Sequence, residues 1–360
     1  MELVKGVYQI KIPISGTSLL PADSRPIKAS RDRLVDVIEQ KVLGSLALSH
    51  VNVYLIEGTK ENMLIDTGWD TPDAFATLNK ELRSYGFNFK DISQIIITHI
   101  HPDHYGLSGK LKQLCGARVA ISEIEAGLID ARYVNLNQLL KQMRWFLLAN
   151  GVPKTSVLQL SEASMPARKL VIPTPPDIML RDGKKISVDP FEFKVLSTPG
   201  HSPGHICLYE PHRKLLFSGD HILPEITPHI GLHPQSGKNP LGAYLDSLEQ
   251  MMKLEVTMAF PGHGAAFSGV RQVIEGSFRH HEQRSNDIVK TLQDTMKTAY
   301  QVAMEIPWMT DIKPTSFQNL NLFDQRLAIM ETLAHIELLR SEGKVQLFTQ
   351  DDVNSYFAGG

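Results

Sequence analysis

The stretch THIHPDHYG, Thr98 to Gly106, sets three imidazoles and a carboxylate within six positions, directly after the apolar run Ile95, Ile96 and Ile97. Imidazole and carboxylate are the donors from which zinc, iron and manganese sites are assembled. Residues at i and i+2 of an extended segment project to one side, so His99 and His101 can grip one ion together. Asp103 and His104 lie a turn further on and would face a second. Three more candidates appear downstream: His201 in TPGHSPGH, Asp220 in FSGDH and His263 in FPGHG. Each ends an apolar run on a tight Gly or Pro turn, as expected when a site is built along one edge of a rigid sheet.

The elements that must position these residues are legible as strands with intervening helices. His50 to Gly58 and Asn62 to Gly68 read as a hairpin, and Pro72 to Tyr85 as a helix with Ala74, Phe75, Leu78 and Leu82 on one face and Gly86 at its end. The strand Gln94 to Thr98 carries the histidines, followed by a helix over Leu107 to Leu114 and a strand over Ala117 to Ile121. From Glu123 to about Ser164 a long helical pattern shows an apolar stripe of Leu139, Leu140, Met143, Phe146 and Leu147. That stripe suits either a core-facing helix or a cap over a site. Strand signals return at Lys184 to Val188, Phe191 to Gly200, His205 to Glu210 and Lys214 to Asp220. A Pro- and His-rich loop, Pro224 to Pro240, precedes a helix over Leu241 to Met252 and a strand over Thr257 to Pro261. Beyond Val270 the pattern predicts a helix over Phe278 to Tyr300, a second stopped by Gly343, and a two-strand ribbon around Val345 to Phe348 and Val353 to Phe357.

The ordered series NMLIDTG, THIHPDHYG, TPGHSPGH, SGD and PGHG, spanning Val51 to Gly269, resembles the metallo-β-lactamase superfamily. The resemblance implies an α/β fold, the αββα sandwich, with two divalent ions as cofactors: zinc in first place, iron or manganese as alternatives. Carried over position by position, His99, His101 and His201 would bind one ion, Asp103, His104 and His263 the other, and Asp220 both. Asp66 in LIDTG would be an outer carboxylate that orients a ligand histidine. His205 and His221 are candidates for the same supporting role, and His229 and His233, in the Pro-rich loop, for contact with substrate. Residues 1–270 would form the catalytic domain, with a helical insertion at about 123–175. Residues 271–360 resemble a small winged-helix domain found after some hydrolases of the superfamily, including the group called β-lactamase-like protein 2.

Such a centre lowers the pKa of bound water, so the expected chemistry is attack of a metal-bridging hydroxide on a carbonyl, with Asp103 holding or relaying the proton. The complete ligand set and a general similarity to the glyoxalase II branch, whose members are thioesterases, make a small thioester or ester of the hydroxyacylglutathione type the leading substrate. Lactones and phosphodiesters, including RNA, are alternatives, as is a regulator that binds a ligand without catalysis. No clearly placed basic cluster awaits a glutathione carboxylate. The serines of GTSLL, near the start, and of SEASMP lie in no Gly-x-Ser-x-Gly elbow, and no phosphate-binding glycine loop is present.

Composition narrows the partners. The chain has 360 residues, 42% hydrophobic and 21% charged, with a net charge of -2. Residues 271–360 hold nine Lys or Arg against twelve Asp or Glu, a poor phosphate track, so nucleic acid is disfavoured and the segment reads as a packing or homodimerisation module. No apolar run reaches the roughly 18 residues of a membrane span, and the start lacks a secretory layout, so a cytoplasmic enzyme of a small molecule is expected. Cys115 and Cys207 form no metal or disulfide pattern and read as core thiols.

Overall fold

The computed structural model describes residues 1–14, 49–309 and 314–359; the GTSLL serines lie outside them. Two sheets face each other. The first runs β1 (Glu2–Val4), β2 (Val7–Pro13), β3 (His50–Glu57), β4 (Asn62–Ile65), β5 (Ile92–Ile96), β6 (Arg118–Ser122) and β7 (Ile178–Leu180), in that spatial order. Its first four strands pair antiparallel, and β4 to β7 pair parallel. The second sheet has the order β12 (Met258–Pro261), β11 (Leu215–Gly219), β10 (Ile206–Glu210), β9 (Phe191–Ser197) and β8 (Lys185–Val188).

Strand periodicity makes the layers. Successive side chains on a strand point to opposite faces, so a strand buried on both sides reads as continuously apolar. On β3, Tyr54 and Ile56 point inward to meet Phe193, Val195, Leu208 and Phe217 of the second sheet. Val51, Val53 and Leu55 point outward, into the helices Pro72–Ser84 and Ser108–Cys115. The outer face of the second sheet, with Leu196, Cys207 and Leu216, is covered by Leu241, Tyr244 and Leu248 of the helix Pro240–Met251 and by Ile274. The result is the expected αββα order, with both cysteines free.

Two helical expectations are corrected. The pattern from Glu123 onward is not one long helix but Glu123–Ala126, a π-turn Asp130–Val134, Leu136–Ala149, Val157–Glu162 and Met165–Arg168. The helix placed at Phe278 to Tyr300 instead runs Val270–Leu292, and a new helix, Ala299–Glu305, starts where Thr298 accepts from the Gln301 amide in a capping box.

The stripe of the helix Leu136–Ala149 faces a core shared with the C-terminal segment. Met143 and Leu147 pack in one cluster with Val157, Leu160, Ile288, Leu292, Val302, Ile329, Leu333 and Tyr356. The joint is tight at Gly151, where φ is +90° and a Cβ would lie 2.2 Å from Thr298 Oγ1. Beside it the Tyr356 hydroxyl donates to Asn150 Oδ1 at 2.9 Å. The last helix, Leu322–Ser341, and the ribbon Gln346–Gln350 with Val353–Phe357 complete the chain. Among the described residues no helix is long and apolar enough to cross a membrane. Leu147 is fully buried, so Leu147→Ala is expected to lower stability by about 2–5 kcal/mol. A urea titration followed by circular dichroism should show one earlier transition; two separate transitions would mean the insertion and the C-terminal helices do not share a core.

Candidate metal centre

The residues singled out in the sequence arrive at one end of the two sheets, each just past a strand: Asp66 after β4, the THIHPDH turn after β5, His201 after β9, Asp220 after β11 and His263 after β12. Three groups of donors form there: His99, His101 and His201; His99, His104 and Asp220; Asp103, His104 and His263. Within each, the donor atoms lie within 4.8 Å of one another. Asp220 belongs to both ends of the set. Its Oδ2 is 3.6 Å from His201 Nε2 and 3.4 Å from His263 Nε2, while its Oδ1 is 3.4 Å from His104 Nε2.

The outer ring nitrogens decide the tautomers. His201 Nδ1 donates to the His229 carbonyl and His263 Nδ1 to the His50 carbonyl, each at 2.8 Å. His104 Nδ1 donates to Asp66 Oδ2 at 2.8 Å. The Thr98 hydroxyl donates to Asp66, so His99 Nδ1 donates to Thr98 Oγ1 at 3.0 Å. Every one of these rings therefore turns a lone pair inward in its neutral form. His101 Nδ1 sits 3.0 Å from His99 Nε2 and 2.9 Å from His201 Nε2, a contact that one proton cannot satisfy on both sides.

Electrostatics sharpens the picture. Burial holds His99 and His101 well below the usual imidazole range, and neighbouring imidazoles add to the effect. Burial also disfavours charge on His104 and His263, but Asp220 and Asp103 outweigh it, holding His104 well above its ordinary value and His263 up at about 10. The inner faces thus favour a cation.

These residues fit divalent ions on two further observations. His104 Nε2 and Asp220 Oδ1 are buried with no hydrogen-bond partner among the described residues, which is costly unless a cation lies between them. A Cβ on Gly262 would lie 2.2 Å from Asp220 Oδ1 and 2.8 Å from His104 Cε1, so only glycine leaves that space open.

The supports are local. Asp66 adopts a positive φ of 60°, a conformation aspartate tolerates better than most residues, and it accepts from the Thr98 amide at 2.8 Å. Fully buried Asn52 donates to the carbonyls of Pro261 and Gly264, each at 2.9 Å, bracing the turn that carries His263. Thr98 and Glu125 were not singled out in the sequence. Glu125 is fully buried, and its two oxygens accept from the amides of Ile100 at 3.0 Å and Gly204 at 2.7 Å, clamping the two loops that carry His101 and His201. The only local sign was a helix-starting Ser122 three residues earlier.

The four remaining candidates separate. His205 Nε2 accepts from the Asp220 amide at 3.1 Å and its Nδ1 faces Thr198, so it supports the turn bearing Asp220. The His221 ring nitrogens are buried with no hydrogen-bond partner among the described residues, and its ring packs 5.1 Å from that of Tyr244. His229 offers its carbonyl to His201, while its Nε2 donates to the Leu327 carbonyl at 3.0 Å, so that ring ties the loop to the last helix. His233 Nδ1 accepts from the Gln235 amide at 3.1 Å.

Because Asp66 holds both His104 and Thr98, Asp66→Asn is expected to weaken metal binding about 10–100-fold in a chelator competition titration. Unchanged affinity would detach Asp66 from the centre.

The matches to known proteins agree with this geometry. The model of the metallo-beta-lactamase superfamily matches residues 46–263, which include all seven candidate ligands. "Probable metallo-hydrolase YqjP" of Bacillus subtilis (strain 168) is 29% identical over 340 residues, covering 90% of this chain and 96% of its own. A beta-lactamase-like protein 2 homolog of Caenorhabditis elegans is 24% identical, covering 84% and 86%. The crystal structure of a metallo-beta-lactamase family protein from Thermus thermophilus aligns over 99% of each chain, at 30% identity and a TM-score of 0.76. The chain belongs to the metallo-beta-lactamase superfamily.

Proposed function

We propose that the protein is a dinuclear metal-dependent hydrolase acting on the carbonyl of a small ester or thioester. The observation that carries this reading is the place of Asp220, whose two oxygens face imidazoles of both triads. His99, His101 and His201 would hold one ion and Asp103, His104 and His263 the other, with Asp220 shared. Zinc is the ion proposed, because borderline imidazole nitrogens dominate the donor set; iron and manganese accept the same donors. The relative from Bacillus subtilis is itself named a probable metallo-hydrolase, which supports hydrolysis as the reaction class.

Bound divalent ions supply two things here, a lowered pKa for water and polarisation of the substrate carbonyl. The chain does the rest. Asp103 turns Oδ2 toward His263 Nε2 at 3.3 Å and His104 Nε2 at 3.6 Å. In this reading Asp103 would accept the proton of the attacking water and return it to the leaving group. His229 and Asp66 hold the rings of His201 and His104 in register, so little reorganisation accompanies the reaction. No nucleophilic serine or cysteine is needed, and buried Cys207, its thiol pushed up to about 12 by burial, is inert.

Metal analysis of the purified protein should find two ions per chain, and chelation should abolish hydrolysis. A panel of thioesters, lactones, β-lactams and phosphodiesters then tests the substrate class: turnover of thioesters or simple esters is expected, and cleavage of phosphodiesters alone would overturn the carbonyl reading. Asp103→Asn is expected to lower kcat by about 10²–10⁴-fold if it handles the proton, measured with the metal content of each variant matched.

A further inference from the structure

Beside the metal centre, three arginines from the insertion and the last helix converge with no counter-ion among the described residues. Ser164 Oγ accepts at once from Arg326 Nη1 at 2.6 Å and from Arg168 Nε at 3.3 Å, so two guanidinium groups meet on one neutral oxygen. Arg168 Nη1 donates to the Arg132 carbonyl at 2.7 Å, and Arg132 Nε to Gln235 Oε1 at 3.3 Å. Among the described residues, the ion pairs that arginines make belong to Arg144, Arg181, Arg284 and Arg340; none involves these three. Arg132 and Arg326 are only 5% and 6% exposed, and Arg326 Nε has no hydrogen-bond partner among the described residues.

The cluster is joined to the catalytic end by short links. Tyr133, next to Arg132, donates its hydroxyl to the carbonyl of Ile100, between His99 and His101. The carbonyl of Leu327, next to Arg326, receives the ring of His229, whose own carbonyl holds His201. His233 adds a donor: its Nδ1 accepts a backbone amide, so its neutral ring carries the proton on Nε2. Burial depresses the His233 imidazole, and the charges of Arg132, Arg326 and Arg168 depress it further. Burial, then mutual repulsion, lowers Arg168 to about 10 and Arg326 to about 9.

We propose that Arg132, Arg168 and Arg326 form a subsite for a phosphate group on a small-molecule substrate, set beside the metal centre. Two buried guanidinium groups, Arg132 and Arg326, and the half-buried one of Arg168, with no acidic partner among the described residues, cost folding energy, and an anionic ligand offsets that cost. A single carboxylate would neutralise one of the three charges. A phosphate monoester, with about -1.5 to -2 charges at neutral pH, neutralises most of the excess and matches the planar fork of arginine. The proposal deepens the hydrolase reading by naming a substrate class, an ester or thioester that carries a phosphate away from its reacting carbonyl.

The test reads binding rather than turnover, so it stands or falls separately from hydrolysis. Pyrophosphate, with acetate as control, is titrated calorimetrically into the purified full-length protein and its Arg326→Met and Arg168→Gln variants, each with metal content measured. Wild type should bind pyrophosphate and not acetate, and each variant should bind it at least tenfold more weakly at unchanged metal content. The thermal midpoint of ligand-free Arg326→Met should hold or rise, since a repelling charge is removed. Equal pyrophosphate affinity in wild type and in Arg168→Gln, whose side chain is partly exposed, would overturn the proposal. So would tighter, steeply salt-dependent binding of a single-stranded oligoribonucleotide, which would make the cluster a nucleic-acid contact.

Discussion

Lone pairs and carboxylates crowded together in a buried site repel one another, and the architecture around this centre exists to hold them there. His104 Nε2 faces Asp220 Oδ1 at 3.4 Å and Asp103 Oδ2 at 3.6 Å, while its outer nitrogen is committed to Asp66. Such an arrangement is stable only with a cation or a proton at its middle. Rigid strand ends on both sheets supply the restraint, since a mobile loop would let the groups drift apart. Backbone links across the sheets complete it: the Ile206 amide donates to the Thr98 carbonyl at 3.0 Å, and the Asn52 amide to the Gly262 carbonyl at 2.7 Å.

The helical additions act on this centre at second hand. The last helix reaches it through His229, and the insertion through Tyr133 and Glu125. Their shared core, around Leu147, Leu292 and Ile329, explains how residues so far apart in sequence keep a fixed relation to the ligands. It also brings together charges that hydration would otherwise separate. Arg132 and Arg168 belong to the insertion and Arg326 to the last helix, and only packing brings the guanidinium groups of Arg168 and Arg326 within reach of one serine hydroxyl.

The difference between legible and illegible residues follows from locality. His99, His101, Asp103 and His104 could be read because four donors share one turn after an apolar strand. His201, Asp220 and His263 could be read because each repeats the strand-then-glycine pattern. Glu125, by contrast, looks like any acidic residue in a first helical turn, and its function as a clamp depends on two amides, at Ile100 and Gly204, that the fold delivers. The helix ends near Leu292 and Thr298 were misplaced because the apolar period runs on through a segment where Lys297 instead pairs its backbone with Tyr356.

The sequence by itself supplied the alternation of strands and helices and the seven candidate ligands, because strand periodicity and donor spacing are short-range properties of the chain. The αββα class and the supporting place of Asp66 were what its motifs' resemblance to the metallo-β-lactamase superfamily implied. Only the tertiary structure decided that Asp220 lies between the two triads, that His229 serves the last helix and His201 together, and that an acidic C-terminal segment still contributes a buried arginine to a positive cluster. Each of these depends on long-range packing, which sets distances between groups whose separation along the chain carries no information about their separation in space.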